Sequence, residues 1–464
     1  MSGKKQAVVV VHGMGEQQPM QTIRDFVKAV WMKDPQLDDP HFWNKPSAVC
    51  ESFEQRRLTT NDPLVVGTDT RLPRTDFYEY YWAHHTVDST LQHLKGWFFS
   101  LIWRNPKHIY LQHRLTLFPI FLILWFILIT AVVYIVKQHI FSIDTAGQAS
   151  AAEACSSLSA QCWQTIKQPL MELGATALLA GITVFLVQYF GDVARYVNAA
   201  PVNIDIRQNI RQGGIELLER IHASGEYQRI ILVGHSLGSI IAYDILNHLW
   251  ARHNKFPDKD DQETPLSLTA ITLSDELQQL SLDIDSELKQ ALYRKKQHEL
   301  FIELKTSDPA NNWLISDFIT LGSPLTYADV LLFATEQQLT LRKLDREYPT
   351  SPPVCEDQHF YYGKRNKFLH HGAVFAPVRW SNIYSKTYAL IFGDIISGPV
   401  SPTFSYLPDS NKNAKKHELT PIKEIELQWK ISDGFTHTKY WQAQQHADDK
   451  HLVELRHELN LVNL

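Results

Sequence analysis

Ser236 stands between glycines in Gly234-His235-Ser236-Leu237-Gly238. Before it runs Arg229-Ile230-Ile231-Leu232-Val233, a strand-forming stretch, and after it Ser239-Ile240-Ile241-Ala242-Tyr243-Asp244, which reads as a helix. Strand, G-x-S-x-G, helix is the context in which a sharp turn lifts a serine hydroxyl out as a nucleophile. Residues without a Cβ relieve the crowding of such a turn, and the helix start favours negative charge beside it. A second glycine loop, His12-Gly13-Met14-Gly15-Glu16, follows the apolar run Gln6–Val11. That run reads as a buried parallel strand. The loop lacks the Walker lysine and the G-x-G-x-x-G spacing of phosphate-binding loops. Backbone donors on such a loop suit acyl transfer, which passes through a tetrahedral oxyanion.

With Thr320-Leu321-Gly322-Ser323-Pro324-Leu325 and Trp380-Ser381-Asn382-Ile383-Tyr384 added, the chain resembles lipase- and esterase-type members of the α/β-hydrolase superfamily. The resemblance implies a doubly wound, mostly parallel sheet and a Ser-acid-His chain order. It implies Leu237 as one oxyanion donor and Gly13 or Met14 as the other. Among 21 histidines, His437 follows the charge-alternating run Lys423–Ile431 and the turn Ser432–Thr436, where the base belongs. It also precedes Tyr440-Trp441, as in lipase-type H-x-x-Y-W endings. Asp394 lies in the Gly- and Pro-marked loop after the Trp380–Tyr384 strand, which makes it the expected acid. Asp433 is the alternative, in the same turn as His437. Asp244 and Asp317 read as structural, Ser323 as part of a loop lining the cleft, and His446, His451 and His457 as solvated. The implied activity is hydrolysis of an acyl ester through an acyl-enzyme, with thioester cleavage or acyl transfer open. A non-catalytic scaffold on a hydrolase-like fold is the reading from another class. The chemistry needs neither metal nor organic cofactor, and none is expected.

Two apolar stretches surround these elements with a membrane. Leu115–Val136 carries no charge and, at ~1.5 Å per residue, spans about 33 Å as a helix, enough for a hydrocarbon core. Leu173–Gly191 is a second charge-free run, less hydrophobic and rich in small residues suited to helix packing. A two-helix transmembrane hairpin is expected, with a buried amphipathic helix the alternative for the second run. Lys95, Arg104, Lys107, Arg114, Arg195, Arg207 and Arg211 flank it, against Lys137 and Lys167 in loop 137–172. That bias places the catalytic unit on the cytoplasmic side, in a bacterial inner membrane rather than an organelle. Cys155 and Cys162 would then face an oxidising compartment and are candidates for a disulfide, while Cys50 and Cys355 remain thiols. A bilayer-tied esterase points to a lipid or other acyl-ester substrate.

The domain reading follows. Residues 1–85 form the first part of the α/β domain, with a helix over Gln21–Trp31 and strands near Val49–Phe53, Leu64–Val66 and Phe77–Trp82. Residues 86–114 are a helical connector, 115–191 the hairpin, 192–441 the second part of the domain, and 442–464 a polar helical tail. A helix over Ile204–His222 precedes the elbow. Ser274–Leu304 reads as one long charged helix, a candidate lid or a solvated surface. Net charge is −5, from 45 basic and 50 acidic side chains, with no basic run of the kind nucleic acid needs. The basic start has too short an apolar core for a signal peptide, and no lipidation signal is expected.

Overall fold

The computed structural model describes residues 5–14, 18–47, 49, 56–86, 125, 129–130, 133, 193, 195–254, 264–307, 313–333, 335–387, 393–406, 419–442 and 449–462. Contacts group the chain into two units, Met1–Val87 with Ala200–Leu464, and Asp88–Ala199.

The first unit is built on strands β1 (Lys5–Val11), β2 (Phe42–Lys45), β3 (Arg57–Thr60), β4 (Thr75–Tyr80), β5 (Tyr227–His235), β6 (Ile315–Leu321), β9 (Arg379–Ser385) and β10 (Lys423–Leu427). A separate two-residue pair, β7 (Tyr361–Tyr362) and β8 (Phe368–Leu369), forms a small hairpin. The large sheet runs β10-β9-β6-β5-β1-β4-β3-β2. Its first six strands are parallel, and β3 and β2 close one edge antiparallel. Central strands buried on both faces have no polar alternation, which is why Gln6–Val11 and Arg229–Val233 read as continuous apolar runs.

Period-two alternation sorts the side chains onto two faces. One face, with Val8, Val10, Phe77, Ile231, Val233, Ile319 and Ile383, packs with Ile23, Phe26 and Val27 of α1 (Gln21–Val27). On the other, Phe318 and Trp380 pack against each other and against Phe375, and Trp380 also meets Tyr243 of the helix that follows β5. Helices therefore cover both faces, α2 (Pro201–Ala223) leading into β5 and α3 (Leu237–His253) leaving it. The architecture is α/β with a mostly parallel sheet. From β1 the chain crosses to the edge strand β2, works inward through β3 to β4 beside β1, then passes to β5 on the other side of β1. The order of strands thus reverses between β1 and β5, and their carboxyl ends form the crevice where open α/β sheets bind ligands.

Several local expectations are corrected. The stretch Ser274–Leu304 is two helices, α4 (Leu268–Ser281) and α5 (Glu287–Ser307). Leu282-Asp283-Ile284-Asp285-Ser286 breaks it: Asp283 and Asp285 both take Lys289 Nζ, at 2.7 and 2.9 Å, and the buried Ile284 pins the turn. Nor is α5 a solvated surface. Arg294 reaches the Trp380 carbonyl at 2.8 Å and Gln297 the Phe375 carbonyl at 2.7 Å, tying it to the β9 region. The strand expected near Val49–Phe53 is absent at Val49, with β2 and β3 to either side, and Leu64 and Val65 make isolated bridges only. After α6 (Glu336–Leu344), the last helix is α7 (Lys450–Leu459). It is no polar tail: Leu455 and Leu459 join the core cluster, Leu452 is buried too, and Glu458 is buried against Arg294 and Lys423.

The runs Leu115–Val136 and Leu173–Gly191, the loop 137–172 and Cys50, Cys155 and Cys162 lie outside the described residues, save four positions of the first run. Those four, Trp125, Ile129, Thr130 and Val133, are helical, and Ile129 and Val133, one turn apart, are 55% and 60% exposed. Among the described residues no helix is long and apolar enough to cross a membrane. Cys355 is a free thiol.

Candidate active site

Ser236 sits between the last residue of β5 and the first of α3 with φ 53° and ψ −130°. A non-glycine residue held there costs on the order of 1–3 kcal/mol, which the surrounding packing must supply. The supply is visible. The Ser236 N–H donates to the Leu321 carbonyl of β6 at 3.0 Å. On either side the glycines are needed because backbone meets backbone. A Cβ on Gly238 would lie 2.3 Å from the carbonyl oxygens of Val11 and His12, and one on Gly234 2.5 Å from Ser239 Cα. The start of α3 thus rests directly on the end of β1, the strand carrying the other glycine loop.

That loop is held by its histidine. Fully buried His12 donates from Nδ1 to the Gly13 carbonyl at 2.8 Å, while Nε2 accepts the Trp82 N–H at 3.3 Å. Burial lowers its pKa to about 4, so the ring is neutral and both bonds persist at neutral pH. Its carbonyl accepts Trp82 Nε1–H at 2.9 Å, and the two rings stack at 5.0 Å. Pinning the Gly13 carbonyl turns the N–H of the same peptide, that of Met14, the opposite way. Beyond the loop, α1 is anchored by Glu79 of β4, which accepts the Met20 N–H at 2.6 Å.

Three side chains then line up. His437 Nε2 is 2.8 Å from Ser236 Oγ, and His437 Nδ1 is 2.9 Å from Asp394 Oδ2. All three are buried, at 1%, 5% and 0% exposure for Ser236, His437 and Asp394. Burial alone would push the Asp394 carboxyl up. The facing His437, together with hydrogen bonds from His437, Tyr440 and Ser397, overrides it and leaves the pKa below the usual value. The Ile396 N–H fills Oδ1 at 2.9 Å, and the Tyr440 hydroxyl donates to Oδ2 at 2.6 Å. Acid and base loops are stitched by backbone: Gly393 N–H to the Gly434 carbonyl and Thr436 N–H to the Gly393 carbonyl, both 2.9 Å. In such an arrangement an imidazole can take the serine proton as the hydroxyl attacks, with the carboxylate orienting the ring.

The structure thus brings together Ser236, His437 and Asp394, and places Gly13, Met14 and Leu237 around them. It leaves Asp433 out: that carboxylate accepts the Lys430 N–H at 2.7 Å and caps its own turn. Asp244 pairs with Arg211 at 2.6 Å and Asp317 with Arg379 at 2.8 Å, both structural. Ser323 does not line a cleft; fully buried, it bonds Ser239 at 2.6 Å beneath the elbow. His451 is not solvated either, since its ring is buried and reaches the Gln442 carbonyl at 2.8 Å. His457 is exposed, and His446 lies outside the described residues. Two residues that sequence reasoning passed over matter here. His235 donates from Nε2 to the His437 carbonyl at 2.9 Å, and burial, lowering its pKa to about 3, keeps it neutral. Tyr440 was visible only as a neighbour three positions past His437. Among the described residues no group of three or more His, Cys, Asp or Glu side chains is arranged to hold a metal ion. Comparison with protein-family models, curated proteins and solved structures finds no match to this chain.

Proposed function

We propose that this chain is a serine hydrolase of the α/β-hydrolase type, cleaving an acyl ester through a covalent acyl-enzyme. The observation that carries the reading is the pair of hydrogen bonds, 2.8 and 2.9 Å, joining Ser236, His437 and Asp394 across 201 and 43 residues of sequence. Convergence of three separate loops on one strained serine is hard to explain as packing.

In the mechanism, the Ser236 hydroxyl passes its proton to His437 Nε2 as Oγ attacks the acyl carbonyl. Asp394 holds the Nδ1–H tautomer and faces the imidazolium that forms. The carbonyl oxygen becomes an oxyanion between the Leu237 N–H, which has no intrahelical partner as the first of α3, and the Met14 N–H turned out by His12. His437 then gives its proton to the departing alkoxide. Water, deprotonated by the same imidazole, attacks the acyl-enzyme and releases the acid and Ser236. No metal or organic cofactor has a step in this sequence.

The apolar runs 115–136 and 173–191 support a membrane-inserted hairpin, with the hydrolase unit on the cytoplasmic side by the bias of Lys and Arg around them. A lipid ester reaching the site by diffusion in the bilayer is the substrate class this favours. The test is labelling of the full chain, in membranes, by a fluorophosphonate. Wild type is expected to label, Ser236→Ala not at all, and His437→Ala far more slowly. Equal labelling of Ser236→Ala and wild type would overturn the proposal.

A further inference from the structure

The Thr320-Leu321-Gly322-Ser323-Pro324 stretch takes no part in the chemistry above, yet Gly322 is built around it. Gly322 has φ +58°, and a Cβ there would lie 2.6 Å from Tyr440 Cε2 and 3.1 Å from Asp394 Oδ2. Its missing side chain leaves the slot through which the Tyr440 ring reaches the carboxylate. The ring is buried, at 2% exposure. Its hydroxyl lies 2.6 Å from Asp394 Oδ2, the same oxygen that His437 Nδ1 reaches at 2.9 Å. Ser397 Oγ lies 3.0 Å from the phenol oxygen, and the Ser385 backbone also hydrogen-bonds it. A phenol has one proton to give, and the carboxylate is the stronger acceptor.

We propose that Tyr440 is a positioning residue that occupies part of the Asp394 oxygen shared with His437, limiting how tightly the acid holds the base. This rests on the hydrolase reading. A carboxylate oxygen accepting two hydrogen bonds divides its charge between them. Without the phenol, the whole of that oxygen faces the imidazole and holds the imidazolium that forms more tightly. With it, His437 is held less tightly and returns its proton to the leaving group more readily.

The ionisable groups around this oxygen are few among the described residues. Asp394, His437 and Tyr440 meet there. Tyr327 faces Asp394 from the turn after β6, and burial holds its phenol protonated. His235 lies against His437 from the end of β5, with His12 behind it from the end of β1. Burial keeps both neutral, with values lowered to about 3 and about 4. None of these three neighbours changes charge near neutrality, so a shift in the pH profile reports the Asp394–His437 pair.

The experiment measures the rate of fluorophosphonate labelling of the full chain against pH. In Tyr440→Phe the ring still fills its slot. Labelling is expected to persist, with the midpoint of the acidic limb moved up by about 0.5–1 pH unit, part of a charge-assisted hydrogen bond. Replacing Tyr440 by 3,5-difluorotyrosine, a stronger donor that keeps the hydroxyl, is expected to move the midpoint down. Uniform slowing in Tyr440→Phe with an unmoved midpoint overturns the proposal, as does a fluorinated variant that shifts upward. The hydrolase reading fails separately, if Ser236→Ala labels like wild type at every pH.

Discussion

The contact between the start of α3 and the end of β1 makes Gly238→Ala the most demanding test of the site's geometry. The new Cβ would sit 2.3 Å from two carbonyl oxygens, those of Val11 and His12, where real Cβ contacts stay beyond 3.0 Å. At least about 0.7 Å of separation (3.0 less 2.3) must open, and both obstacles are backbone in a central strand. Overpacking of this kind costs roughly 1–3 kcal/mol of stability. The chemical cost should be larger. The two N–H groups proposed to meet the oxyanion, Leu237 and Met14, stand on the two surfaces being forced apart. Misplacing one such donor costs about 10²–10³ in rate, or ~2.7–4 kcal/mol. Gly13→Ala is the internal comparison, because the nearest atoms to its Cβ, His235 Nδ1 and Ser236 Cβ, lie at 2.9 Å rather than 2.3 Å. Second-order labelling rates, with thermal unfolding to confirm the fold, should therefore rank wild type, then Gly13→Ala, then Gly238→Ala about a hundredfold or more below wild type. A folded Gly238→Ala labelling at the wild-type rate, or the reverse ranking, would refute the argument.

Asp394→Asn should lower labelling by about 10³–10⁴, because an amide whose oxygen keeps the Ile396 N–H turns its NH₂ toward His437 Nδ1 and imposes the wrong tautomer. A loss under about tenfold would count against Asp394 as the acid. Glu79 gives a prediction on stability. Burial raises its pKa from 4.5 to about 7, so the folded chain binds the extra proton, and stability is fullest below 4.5 and lost as pH rises through 7. Thermal melts should show Glu79→Gln gaining on wild type between about pH 5 and about pH 8, by up to ~3 kcal/mol; a constant difference between them would be the contrary result. Comparison with the variant is essential, since buried neutral His12, His222, His235 and His370 pull the other way, adding stability as pH rises toward 6.5.

How much was legible depends on whether a feature is local. The elbow was, because the strand, the two glycines and the helix are contiguous and each is required by the turn itself. The helicity of the tail was legible too, but the burial of α7 was not. Leu452, Leu455 and Leu459 fall on one face, but Glu458 beside them reads as solvent-facing until Arg294 and Lys423 are seen to neutralise it. Likewise the continuous helical pattern of Ser274–Leu304 hid a break whose only marks are two aspartates and a serine. Those marks gain force from Lys289 holding both carboxylates. The antiparallel edge strand β2 has mixed polarity because it borders solvent, and β3 beside it is buried but only four residues long, so neither shows an alternation strong enough to place.

The acid shows where sequence distance misleads. Asp433 is four positions before His437, Asp394 forty-three, and proximity in the chain favours the nearer. Yet a carboxylate in the same tight turn as the imidazole is committed to that turn: Asp433 already accepts the Lys430 N–H. An acid free to orient the ring must come from a neighbouring strand end, at a height set by sheet register. Here β9 and β10 are parallel neighbours, so the loops leaving them emerge side by side, and the Gly393–Phe435 bridge fixes their relative height. The triad is therefore a consequence of strand pairing more than of any motif. Its three members sit at the end of β5 and in the loops that follow β9 and β10, and only the first carries a local signature because only the first must bend the backbone to be reached.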